Sequence, residues 1–90
     1  APQPELSMRA FPNPTNGAVE VEIACRNCVD DGLYTLKVTD IYGQEILLTD
    51  VPVIAGEGSV KLDLSKYAAG VYLVTVIDGE RRIVERVVRQ

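Results

Sequence analysis

Cys25 and Cys28 are the only cysteines in this 90-residue chain, and their C-x-x-C spacing makes them its most chemically suggestive residues. Three readings compete for that spacing. A structural zinc site takes four ligands, and the chain offers no histidine and no second cysteine pair. A thioredoxin-like redox site needs its first cysteine at a helix N-terminus, where the thiol pKa falls, but here the pair follows an alternating strand pattern. The third reading is a local disulfide or two inert thiols. Closing so short a loop stabilises by about 2 kcal/mol on the chain-entropy model, and an exported protein favours the disulfide.

The remaining candidates for chemistry are sparse. Without histidine, serine and cysteine nucleophiles lack their commonest base, so an enzyme is not expected. Asp30 and Asp31 form a carboxylate pair, but adjacent acids before a glycine read as solvated turn residues. They could contribute to a calcium site, yet no ligand spacing supports one. No metal and no cofactor are expected. The net charge of −4 gives no general basic field for nucleic acid or an anionic membrane. The apolar runs span a few residues against the roughly 20 needed to cross a bilayer as a helix, so membrane insertion is not expected. No signal peptide opens the sequence, so an export signal would belong to a longer parent.

The elements that position these residues read as strands. Ninety residues make one thin-cored domain, burying roughly 60–65% of the surface the unfolded chain exposes. Leu6, Met8 and Ala10 alternate with Ser7 and Arg9. Residues Phe11-Pro12-Asn13-Pro14-Thr15-Asn16-Gly17 form a corner that neither helix nor central strand can cross, because each proline fixes φ and lacks an N–H. Val19, Val21, Ile23 and Cys25 then alternate with Glu20 and Glu22, the mark of a half-buried strand. Tyr34, Leu36 and Val38 alternate with Thr35, Lys37 and Thr39. Asp40-Ile41-Tyr42-Gly43 is a turn whose glycine suits the left-handed position of a bulged hairpin. Glu45 to Val51 returns as a strand, and Pro52 with Gly56-Glu57-Gly58 marks the next connection. Ser59 to Leu64 alternates again. Ser65 to Gly70 has room for one helical turn closed by glycine. Val71 to Ile77 is an apolar run suited to a central strand, and Asp78-Gly79 signals a hairpin. Seven short strands with regularly spaced turns give an all-β fold, an immunoglobulin-like seven-stranded antiparallel β-sandwich, in preference to a barrel.

The last strand, Ile83 to Arg89, differs from the others, because each of its faces mixes apolar and charged residues. A two-residue turn at Asp78-Gly79 places Val74 opposite Ile83 and Leu73 opposite Val84. The spacing also suits a helical stripe, but four β-branched residues after a hairpin turn favour a strand. Residues 1–80 carry five basic and twelve acidic side chains (−7), whereas residues 81–90 carry four arginines against Glu85 (+3). Attraction between this basic segment and its own acidic domain accounts for the asymmetry most simply. The alternative is that the strand or its free edge docks onto another protein by β-augmentation.

Taken in order, several motifs resemble those of the C-terminal sorting domain of the type IX secretion system of Bacteroidetes. Phe11-Pro12-Asn13-Pro14 through Gly17 resembles the aromatic-Pro-Asn-Pro corner that opens the family. Asp40-Ile41-Tyr42-Gly43 is similar to its Asp-x-x-Gly hairpin. Leu62-Asp63-Leu64-Ser65 and Ala69-Gly70-Val71-Tyr72 resemble its Asp-Leu-Ser and Gly-Val-Tyr signatures. Val87-Val88-Arg89 resembles its valine-rich, basic-ended last strand, with Arg86, Arg89 and Gln90 where family members often carry lysines. The resemblance runs from Leu6 to Gln90 and implies a division into a linker remnant at 1–5 and a sorting domain at 6–90. It implies a non-catalytic domain that sends an attached upstream cargo through the periplasm to the outer membrane and cell surface. It further implies recognition by the type IX translocon and outer-membrane shuttle proteins. Cleavage by a cysteine-protease-type sortase would fall in or just before residues 1–6, with cargo attached to anionic lipopolysaccharide. By resemblance, recognition is carried by Gly70, Tyr72, Val87, Val88 and Arg89.

The rival reading is an immunoglobulin-like spacer or carbohydrate-binding module of a secreted protein. Tyr34 and Tyr72 suit core positions, leaving Tyr42 and Tyr67 as the only candidates for a sugar platform.

Overall fold

A computed structural model of the chain describes residues 5–28, 31–79 and 81–90. Its strands are β1 (Glu5–Phe11), β2 (Ala18–Arg26), β3 (Gly32–Asp40), β4 (Glu45–Val53), β5 (Glu57–Asp63), β6 (Gly70–Asp78) and β7 (Arg81–Arg89). They form two sheets, ordered β1-β2-β5 and β4-β3-β6-β7, with every strand pair antiparallel. This is the immunoglobulin-like sandwich that the alternation implies, with hydrophobic residues on both inner faces.

The core follows the period-two pattern. Val19, Val21, Ile23 and Cys25 of β2 meet Tyr34, Leu36 and Val38 of β3 and Tyr72, Val74 and Val76 of β6, all buried. Val51 and Val53 of β4, Leu62 of β5, Leu64 after it and Val87 of β7 complete it. Burying each of these aliphatic side chains contributes about 1.5–3 kcal/mol, and a domain this thin needs nearly all of them. The apolar run at Val71–Ile77 lies between β3 and β7 as the predicted interior strand.

Four local readings are corrected. Residues 65–69 form a turn with no helix, closed by the Tyr67 N–H donating to the Leu64 carbonyl at 3.0 Å. Pro52 does not end its strand: it lies inside β4 opposite Leu33, and because β4 is an edge strand, its missing N–H breaks no ladder. The β6–β7 register pairs Val76 with Ile83 and Thr75 with Val84, because Asp78 stays in the ladder opposite Arg81. That is two residues from the expected pairing, so every side chain keeps its expected face. Finally, the connection after β4 is a tight turn at Ala55 and Gly56, both at positive φ (54° and 80°), bridged by Ile54 and Glu57. The Asp31 carboxylate accepts the Ala55 N–H at 2.9 Å. Asp30 and most of the 1–5 linker lie outside the described residues.

Candidate recognition surface

The proline corner carries the chain from one sheet to the other. Up to Phe11 the backbone pairs with β2; beyond it, Thr15 bridges Arg89 of β7 in parallel. The Phe11-Pro12 and Asn13-Pro14 peptides are both cis. Asn13 then acts as a substitute for strand backbone. Its Nδ2 donates to the Arg86 carbonyl at 2.8 Å, and its Oδ1 accepts the Val88 N–H at 3.0 Å. The Thr15 N–H donates to the Val88 carbonyl, and the Gln90 N–H donates to the Thr15 carbonyl, both at 2.8 Å. Four backbone groups on the outer edge of β7, from Arg86 to Gln90, are therefore satisfied by the corner. An edge that would otherwise invite another strand is closed along this half.

The corner is itself held from behind. Thr15 is buried, and its hydroxyl accepts the Gly17 N–H at 3.1 Å and donates to the Ala18 carbonyl. Gly17 sits at φ 144° and its carbonyl accepts the Leu64 N–H at 2.8 Å. A Cβ at Gly17 would lie 3.0 Å from the Ser65 Cβ and 3.1 Å from its Cα, so only glycine lets the corner approach the β5–β6 connection this closely.

Arg89 belongs to the same assembly. Its Nε donates to the Leu64 carbonyl at 3.1 Å and its Nη2 to the Ser65 carbonyl at 3.2 Å, while Nη1 reaches the Gln90 carbonyl. Hydrogen bonds from Ser65, by side chain and backbone, hold the Asp63 carboxyl below its ordinary pKa, with Lys66 and Arg89 adding attraction. One arginine thus ties the end of β7 to the turn that precedes β6. On that turn Tyr72, near the start of β6, donates its hydroxyl to the Ala68 carbonyl four residues upstream, as in the tyrosine corners of immunoglobulin-like domains.

Residues 9–90 match the family described as secretion system C-terminal sorting domain. The chain belongs to that family. Among curated proteins, none matches the chain. The domain is a C-terminal sorting signal of type IX secretion, and its family is not a class of enzymes.

The residues that the sequence assigns to recognition in this sorting domain occupy different environments. Val87 is fully buried and Tyr72 nearly so, both within the core. Gly70 is exposed at φ 155°, Val88 is half-buried on the outer face, and Arg89 is half-buried in its cage of carbonyls. Pro12, Asn13 and Pro14 are exposed, and Phe11 is half-buried under the Arg9 guanidinium, 5.1 Å from the ring centroid. Asp40 organises its hairpin, its carboxylate accepting the Tyr42 and Gln44 N–H groups at 2.9 Å, with Gly43 at φ 86°.

At the far end of the sorting domain, Cys25 and Cys28 lie with Cα atoms 5.7 Å apart, a span a disulfide bridges. Arg81, paired with Asp78, points Nη1 and Nη2 at the Cys25 sulfur from 3.9 Å. Burial pushes the Tyr34 hydroxyl pKa up, and the Asp78 charge pushes it further. Tyr42 stands in solvent, but the Tyr67 side chain is half-buried against the core, with its hydroxyl donating to the Ile46 carbonyl at 3.2 Å, so the suggested sugar platform has one fully exposed ring. No group of three or more metal-ligating residues occurs among the described residues.

Sequence reasoning missed Thr15 entirely and did not foresee the clamp role of Asn13. The available signal was the Asn13 side-chain amide set between two prolines that cannot donate, followed by Thr15, whose backbone can. Such a segment can close a strand edge while being unable to offer one itself.

Proposed function

We propose that the sorting domain is read as a folded object, with β7 as its address strand. The type IX translocon and outer-membrane shuttle proteins meet β7 after the cargo has entered the periplasm. Gly70, Tyr72 and Val87 set the position of the strand from beneath, while Val88 and Arg89 complete its outward edge. The domain proper is residues 6–90, and residues 1–5 are the end of the linker to the upstream cargo. A sortase then cuts in or just before residues 1–6 and joins the cargo to the cell surface. In that oxidising route Cys25 and Cys28 are joined as a disulfide.

The observation that carries this reading is the clamp from Asn13 and Thr15 onto Arg86–Gln90. It holds the end of the chain in one defined conformation over a distance of more than 70 residues of sequence. Preorganising a recognised segment lowers the entropy lost when a partner binds it. The test is a reporter fused to residues 1–90 in a type IX-competent host. Deleting residues 86–90 is expected to leave the reporter in the periplasm. Surface delivery that survives the deletion, with a soluble glycan competing for the surface-bound product, would instead favour a carbohydrate-binding module.

A further inference from the structure

The two outer faces of the sandwich differ in chemistry. The outer face of β1-β2-β5 is polar and rich in carboxylates, with Glu20, Glu22, Glu57 and Asp63 among Arg9, Arg26 and Lys61. Across β4-β3-β6-β7 the registers align Leu48, Lys37, Thr75 and Val84 in one outward row. Adjacent rows hold Thr35, Ile77 and Arg82, then Thr39, Leu73 and Arg86. Val84 is 54% exposed and Leu48 57%. On β3, β6 and β7 the charges of this face are Lys37, Arg82 and Arg86, with no carboxylate among the described residues; Glu45 and Asp50 lie on the far strand, β4. None of the three cations forms an ion pair among the described residues.

We propose that the β3–β6–β7 part of this face docks a partner protein whose surface sets carboxylates around an aliphatic patch. The inference rests on the sorting reading and identifies the surface that is read. Val84 and Leu73 supply the apolar centre, and Lys37, Arg82 and Arg86 ring it. An apolar centre with an arginine-bearing polar rim is the anatomy of protein interfaces. Three cations dispersed among aliphatics fall short of the clusters of about 4–8 basic residues that attract anionic bilayers. The corner clamp leaves this face open, because it takes only the edge of β7 and uses the Arg86 carbonyl, not its side chain.

The test compares reporter fusions of residues 1–90 carrying Arg82→Glu with Arg86→Glu, or Lys37→Glu on a different strand. Both are expected to lose roughly tenfold or more of surface delivery, since like charges would now face each other across the interface. Arg26→Glu with Lys61→Glu, the same charge change on the opposite face, is expected to leave delivery within about twofold. Purified variants should melt within a few degrees of the unchanged domain. Delivery unaffected by the face variants, or lost equally in both double variants, overturns the inference alone. Light scattering that shows a dimer broken by Arg82→Glu with Arg86→Glu assigns the face to a second copy and overturns it. Co-sedimentation with phosphatidylglycerol vesicles, lost in the same variant, assigns it to lipid and also overturns it. Failure of the unchanged fusion to reach the surface overturns the sorting reading and this inference with it.

Discussion

Asn13→Ala removes the side-chain half of the clamp and leaves the two Thr15 backbone bonds in place. The substitution deletes two hydrogen bonds, to the Arg86 carbonyl and from the Val88 N–H. Each is worth about 0.5–1.5 kcal/mol net, and because both are exposed, water replaces part of the loss, leaving about 1–2 kcal/mol. For a domain of this size, where 1 kcal/mol moves Tm by about 4–8 °C, the expected fall is about 4–16 °C. Thermal unfolding followed by circular dichroism measures it, and amide exchange locates it, with the Val88 N–H expected to exchange roughly tenfold faster. Asn13→Asp sharpens the test. The carboxylate keeps an acceptor for the Val88 N–H but turns an acceptor toward the Arg86 carbonyl. It should destabilise at least as much as alanine at neutral pH and recover part of the loss once protonated, below about pH 3.9. A melting temperature within about 1 °C of the unchanged domain, with Val88 exchange unaltered, would refute the clamp.

Three further outcomes follow from the structure. Ala55 sits at φ 54° in a turn where the left-handed conformation costs an alanine about 1–2 kcal/mol, so Ala55→Asn, giving Asn-Gly, should stabilise by about 0.5–1 kcal/mol in denaturant titrations. Replacing Cys25 and Cys28 together by serine, or reducing them, should cost about 2 kcal/mol, and domain released after export should show no titratable thiol before reduction. Asp63 has a folded-state pKa below its unfolded value, so its contribution to stability is present above about pH 4 and is lost as pH falls through the folded pKa. Asp63→Asn should therefore flatten the pH dependence of stability below about pH 4, measured by thermal melts across an acid series.

The layers of the fold were legible because burial on one face imposes a period of two. Val19 to Cys25 and Tyr34 to Val38 show it directly, and both sets are buried. Val71–Ile77 conceals the same period, since its outward residues Val71, Leu73 and Ile77 are also apolar, though only half-buried. What failed to show was local or distant in ways that periodicity does not carry. Asp78 reads as a turn residue but remains in the ladder because Arg81 pairs with it across the strands. Pro52 reads as a strand end, yet an edge strand absorbs it. The link from Asn13 to Arg86 joins residues 73 apart through a side-chain amide, and no window of sequence contains both. Tyr72 and Val87 carry family motifs, yet the structure gives them core positions, so those two motif residues report packing and not an exposed contact.

If this folded domain directs its cargo outward through one dedicated machinery, delivery must depend on that machinery. Surface protease accessibility of a reporter joined to residues 1–90 tests it, measured in parallel in a type IX-competent strain and in the same strain with its translocon disabled. The reporter is expected to be accessible in the first strain and protected, in the periplasm, in the second. Equal accessibility in both strains would contradict that dependence.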